Sequence, residues 1–180
     1  MRVVDPHRRV TGDPWPDLRL RRGGEADLAP LTELYNHYIE HTPISFDLER
    51  FEVEQRRLWF AAFGGSGRHQ IFVAEAEGRL LGYACSHVFR PKAAYATSVE
   101  TSVYCAPEAV GKGLGRRLYA RLFDALATED VRRAYAGITL PNPASVGLHE
   151  AAGFRRLAVY SEVGRKFGRY WDVLWLEKSL

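Results

Sequence analysis

Gly111, Gly113 and Gly115, alternating in the run Val110-Gly-Lys112-Gly-Leu114-Gly-Arg116, constrain this chain more than any other stretch. They separate a β-prone segment, Tyr95 to Cys105, from one in which Leu114, Leu118, Leu122 and Leu126 recur every fourth residue. Backbone lacking Cβ atoms can curl until successive N–H groups converge on one point. A helix starting there adds roughly half a positive charge. Strand, glycine turn and helix start together predict a cradle for a phosphate or pyrophosphate, although a tight strand-to-helix connection would use the same glycines. The spacing matches neither a Walker A loop, which requires Gly-Lys-Ser/Thr, nor the GxGxxG of a dinucleotide fold.

The flanking pattern predicts a mixed α/β (α+β) architecture. Residues 1–17 carry Pro6, Pro14 and Pro16 with little periodicity, and read as a leader expected to be flexible. The domain, 18–180, starts with a short strand at Leu18–Arg21. A helix follows with Leu28, Leu31, Leu34, Tyr35, Tyr38 and Ile39 on its apolar side, stopped by Pro43, and a second helical stretch is expected from Leu48 to Phe63. Gln70–Ala76 and Leu80–Phe89 read as a hairpin turned at Glu77-Gly78-Arg79, and Tyr95–Cys105 as the next strand. Beyond the long leucine-striped helix come a strand at Ala134–Leu140, a helix at Pro143–Ala152, and strands at Phe154–Val163 and Tyr170–Leu176.

Composition narrows the function classes. With 180 residues, 46% of them hydrophobic, the chain can bury one sizeable core. Its net charge of +3 is spread along the sequence, which predicts neither a nucleic-acid nor a membrane-surface partner. No apolar run approaches the ~20 residues that span a bilayer. Cys85 and Cys105 have no framework or CxxC spacing, so free thiols in a reducing cytoplasm are expected. His37-Tyr-Ile-Glu-His41 fits the H-x-x-E-H pattern of a zinc peptidase, with Glu40 as base. Pro43 ends that helix at once and no third ligand region follows, so no metal is expected.

Gly-Lys-Gly-Leu-Gly-Arg after a Val-Tyr-Cys strand resembles the acetyl-CoA pyrophosphate loop of the GNAT N-acetyltransferase superfamily. Leu140-Pro-Asn142-Pro-Ala-Ser145-Val-Gly-Leu-His149-Glu-Ala-Ala-Gly153-Phe154 resembles its Asn…Ser…Leu-Tyr-x-x-x-Gly-Phe helix. From Leu18 to Leu180 a narrower likeness runs through Tyr35-Asn-His-Tyr-Ile-Glu-His-Thr to Phe46, Ala94-Tyr95 to Glu100, Leu-Pro-Asn-Pro with His149-Glu, and Gly168-Arg-Tyr-Trp-Asp-Val173. These are similar to the phosphinothricin N-acetyltransferases and their methionine-sulfoximine-acetylating relatives. Val110 stands where the superfamily usually has Arg or Gln, and Lys92 where the narrower family commonly has Arg. A lysine supplies charge without a two-pronged grip.

The resemblance implies a GNAT fold, with a mixed sheet splayed around the cofactor, and a cytoplasmic homodimer whose C-terminal strands border the acceptor pocket. It implies direct transfer of an acetyl group from acetyl-CoA to the α-amine of a small amino-acid-like molecule. The alternatives are another amine, a protein N-terminus, or a non-catalytic acetyl-CoA sensor. Gly111, Lys112, Gly113, Leu114, Gly115 and Arg116 would hold the pyrophosphate; Val103, Tyr104 and Cys105 would pair with pantetheine like an extra strand; Asn142 and Ser145 would add hydrogen bonds. Glu100 would be the base that deprotonates the amine. His149, whose ordinary pKa lies near 6.5, would serve as proton donor to the departing sulfur or as a wall of the site. Arg90, Pro91, Lys92, Tyr95, Thr101 and Ser102 would meet the acceptor, with Phe46 and Trp171 as apolar walls.

Overall fold

The computed structural model describes residues 14–180, so the first part of the expected leader, 1–13, lies outside the described residues. Trp15, placed in that leader by the sequence reading, packs against the core. The elements are β1 (Arg19–Arg22), α1 (Leu28–His41), α2 (Arg57–Ala61), β2 (Ile71–Ala76), β3 (Arg79–Val88), β4 (Ser98–Cys105), α3 (Leu114–Leu126), β5 (Arg133–Thr139), α4 (Pro143–Ala151), β6 (Arg155–Lys166) and β7 (Arg169–Ser179). The strands form one seven-stranded sheet ordered β1-β2-β3-β4-β5-β7-β6. All neighbours run antiparallel except β4 and β5, which α3 joins by a crossover. A parallel pair requires such a crossover, and the glycine run is where it leaves β4.

Leu114, Leu118, Leu122 and Leu126 are all 0–1% exposed, so the four-residue repeat is the buried stripe of α3, laid on β2, β3 and β4. Helix α1 covers the opposite face. Tyr104 of β4 meets Tyr35 and Tyr38 of α1, whereas its neighbour Val103 faces Gly115 of α3. Successive side chains of a strand point to opposite faces, so this alternation fixes which β4 residues look which way.

Two elements differ from the expectation. The helix foreseen from Leu48 to Phe63 shrinks to α2 and a single preceding turn. Leu48 and Leu58 are exposed, so their apolar spacing builds no buried face. The segment ahead of α2 is held instead by the buried Asn36 side chain. Its Nδ2 donates to the Phe51 carbonyl and its Oδ1 accepts from the Phe51 N–H, both at 2.9 Å. This amide stands in for a strand neighbour. The strand foreseen from Tyr95 begins at Ser98 because Ala93–Tyr95 forms a tight 3₁₀ turn.

Candidate active site

The parallel ladder between β4 and β5 is short. Ser98, Val99 and Glu100 pair with Arg133, Ala134 and Tyr135, after which β5 continues beside β7 alone. From Thr101 to Cys105 the β5-facing edge of β4 therefore has no strand neighbour, and its N–H and C=O groups need other partners. A chamber of ≈ 50 Å³ lies in the splay, lined by Thr101–Tyr104, Gly137–Thr139, Asn142, Ser145 and His149. It joins, through Val103, Tyr104, Asn142 and Ser145, a cleft of ≈ 650 Å³ that runs to the glycine run. The Tyr38 hydroxyl donates to the Cys105 carbonyl at 2.6 Å and fixes one wall.

At the far end of the cleft Gly111 and Gly113 have φ of 76° and 79°, a left-handed backbone that other residues adopt at a cost. Arg117 N–H reaches the Gly113 carbonyl at 3.2 Å, the first helical bond of α3. The N–H groups of Leu114, Gly115 and Arg116 thus have no acceptor within the helix. Lys112 and Arg116 stand exposed beside them, and the Lys112 ammonium sits 5.1 Å from the Trp15 ring. Val110, exposed on the same rim, adds no charge. Asn142 caps α4, its Oδ1 accepting from Ser145 N–H at 3.0 Å, and its Nδ2 hydrogens remain for the cleft. All the predicted cofactor-binding residues except Lys112 thus line this chamber and cleft.

Glu100 and Ser102 alternate with Thr101 and share the α1 face of the sheet with Tyr104. Opposite them on β3 stand His87, Cys85 and Tyr83. Burial raises the Glu100 carboxyl above its ordinary range, opposed by the positive charge of Arg90. Burial also pushes the Cys85 thiol up to about 12 and Cys105 to about 11, so neither is a ready thiolate. Arg90, Pro91, Lys92 and Tyr95 lie on the exposed turn between β3 and β4. Arg90 rests 4.9 Å over the Phe89 ring, which in turn stacks on Tyr135 at 4.2 Å. Phe46 approaches from the other side. An added Cβ at Gly164 of β6 would collide with the edge of its ring, so the hairpin β6–β7 accepts Phe46 only because that position is glycine. Lys166 donates to the Ser45 carbonyl at 2.7 Å and Trp171 Nε1 to the Lys166 carbonyl at 2.9 Å, which ties the hairpin to the Phe46 loop.

His149 reaches the splay from the α3 side. Its Nδ1 lies 2.7 Å from the Ser145 carbonyl, which can only accept, so Nδ1 carries the proton. Nε2 then accepts from the Tyr119 hydroxyl at 2.8 Å. Burial lowers the imidazole pKa, which favours the neutral ring, and both nitrogens are engaged. Of the two expected roles, proton donor or wall, the pairing found here commits the Nδ1 proton to Ser145 and the Nε2 lone pair to Tyr119. Tyr119, which makes this arrangement, is one that sequence reasoning missed. Beside Leu118 on α3 it reads as another core aromatic.

His37 and His41 stack at 4.7 Å near the end of α1. Among the described residues no group of three or more His, Cys, Asp or Glu is arranged to hold a metal, and no helix is long and apolar enough to cross a membrane.

A long ligand with a diphosphate at one end and amide groups along its middle suits this groove: backbone donors would meet the first, and the open edge of β4 the second. The fold and groove define an acetyl-CoA-dependent N-acetyltransferase. The chain belongs to the acetyltransferase (GNAT) family, whose model matches residues 31–154. It is 57% identical over 166 residues to a phosphinothricin N-acetyltransferase of Streptomyces coelicolor, covering 91% of this chain and 97% of that protein. Its likeness to an L-methionine sulfoximine/L-methionine sulfone acetyltransferase of Salmonella typhimurium is 35% over 163 residues, covering 91% and 95%. A phosphinothricin acetyltransferase of Sinorhizobium meliloti, solved in complex with acetyl-CoA, superposes with a TM-score of 0.84 at 32% identity, covering 91% of this chain and 88% of that one.

Proposed function

We propose that this enzyme transfers the acetyl group of acetyl-CoA directly to the α-amine of a small amino-acid-like acceptor of the phosphinothricin, methionine sulfoximine or methionine sulfone type. The observation that carries this reading is the position of Glu100. It is the last residue of β4 paired with β5, so it stands where the splay opens, and its carboxyl proton affinity is raised by burial. A carboxylate so tuned takes a proton from an incoming ammonium group, and the freed lone pair attacks the thioester carbonyl. N–H groups on the open β4 edge stabilise the oxyanion that forms. Its collapse expels the coenzyme A thiolate, which regains a proton from the acceptor by way of Glu100 or solvent. His149, neutral and held by Tyr119 and Ser145, walls the chamber. The high thiol pKa at Cys105 supports direct transfer over an acyl-cysteine route.

The names of the similar proteins support the acceptor class. Arg90, Lys92 and Tyr95 on the rim, with Phe46 and Trp171 opposite, are our candidate acceptor contacts. Free thiols support a cytoplasmic site of action. Edge strand β6 exposes Val159, Tyr160 and Val163, which supports a homodimer joined through that hairpin. A spectrophotometric thiol-release screen of phosphinothricin, methionine sulfoximine and methionine sulfone tests the acceptor class. Turnover of at least one is expected. Turnover of no amine despite tight coenzyme A binding would favour a sensor.

A further inference from the structure

Arg56, the residue just before α2, is 5% exposed, and among the described residues no carboxylate lies within ion-pair distance of it. Its guanidinium carbon sits 3.8 Å from the Trp59 ring centroid and 4.3 Å from that of Tyr35, clamped between two aromatic faces. Its Nη1 is buried and has no hydrogen-bond partner. Buried guanidinium groups are ordinarily paired, because their hydrogens give up water when they go inside. The nearby acid, Asp47, is taken by the Tyr35 hydroxyl, which donates to it at 2.5 Å.

Arg56 lines a cavity of ≈ 440 Å³ together with that Asp47 and with Trp59, His69, His87, Ser102 and Tyr104. Ser102 and Tyr104 also line the chamber in the splay, so the two spaces share a wall. Ser102 is two residues from Glu100 on the same face of β4, roughly 7 Å along the strand. An acceptor whose amine sits by Glu100 would extend its other polar end along this face. Burial lowers the pKa of His69 and His87, which favours their neutral forms and leaves Arg56 as the fixed cation of the cavity.

We infer that Arg56 is the anion-binding residue of the acceptor pocket, gripping an oxyanion of the substrate from beneath while the aromatic clamp holds its guanidinium plane fixed. This rests on the amino-acid acceptor proposed above and assigns its charge partner to a buried arginine, where the sequence pointed to the exposed Arg90 and Lys92. A fixed guanidinium that meets Tyr83 on one side and keeps its Nη1 hydrogens unpaired is suited to a carboxylate or phosphinate.

The test compares wild type with Arg56→Met and Arg56→Lys. Steady-state kinetics use methionine sulfone, phosphinothricin and the α-carboxamide of each; tryptophan emission reports binding of methionine sulfone and phosphinothricin without turnover. Arg56→Met should raise KM for acids by about 10–100-fold, with a smaller rise in the Lys variant and unchanged coenzyme A affinity. Loss of the effect with both carboxamides identifies the α-carboxylate as the anion; its persistence with phosphinothricin carboxamide identifies the side-chain phosphinate. A purely structural arginine would lower melting temperature and change KM for acid and carboxamide alike, and that overturns the inference. So would unchanged acid binding in Arg56→Met. If wild type acetylates none of these amines yet binds the acids, and Arg56→Met does not, the acceptor reading fails while the anion site stands.

Discussion

The Tyr119 hydroxyl donates to Nε2 of His149 across 2.8 Å, joining α3 to α4 beneath the splayed strands. Both groups are buried, and the rings of Phe123 and Phe154 pack around them. Removing the hydroxyl leaves a buried imidazole acceptor unpaired while the aromatic packing survives. Tyr119→Phe should therefore lose about 1–3 kcal/mol of stability, read by denaturant unfolding. An unchanged midpoint would mean that the bond contributes nothing.

Burial also depresses the pKa of His69, His87 and His149. For each, the unfolded chain binds more protons than the folded one between the lowered folded value and the ordinary value near 6.5. Stability should rise with pH through that window and be lost as pH falls through it. Melting temperatures from pH 5 to 7.5 should show this slope, flatter in His149→Gln. An identical slope in the variant would remove His149 from the effect.

Arg90 opposes the burial that raises Glu100. Arg90→Gln should consequently move the acidic limb of the kcat/KM profile to higher pH, since the proposed base would be protonated over a wider range. A limb that moves to lower pH would contradict the sign of this coupling.

At the cradle, Gly113→Asp puts a bulky, negative group where backbone N–H groups converge and where φ is 79°. Coenzyme A binding, followed by calorimetry, should fall below detection while the fold, followed by circular dichroism, is retained. Retained affinity would relocate the diphosphate.

Much of this architecture was legible because periodicity and burial agree. The four-residue leucine repeat of α3 packs as a single stripe, and the glycine run falls where β4 hands over to it. Other parts were not. The stretch around Leu48 carries helical spacing, yet a single buried amide, Asn36, holds it to Phe51 in an irregular path. Arg56 stands among Glu54, Gln55 and Arg57, a string that reads as solvated surface; only the fold of that loop turns it inward between Trp59 and Tyr35. The partners of His149 were hidden for a similar reason. Tyr119 lies thirty residues away in the chain, and no spacing rule links the two.

The proposed mechanism turns on one carboxyl group. Thiol release from acetyl-CoA, with methionine sulfone or phosphinothricin as acceptor, should proceed in wild type. In Glu100→Gln its kcat should be lower by about 10²–10⁴-fold with coenzyme A affinity unchanged. Wild-type turnover from Glu100→Gln would contradict the assignment of Glu100 as the base.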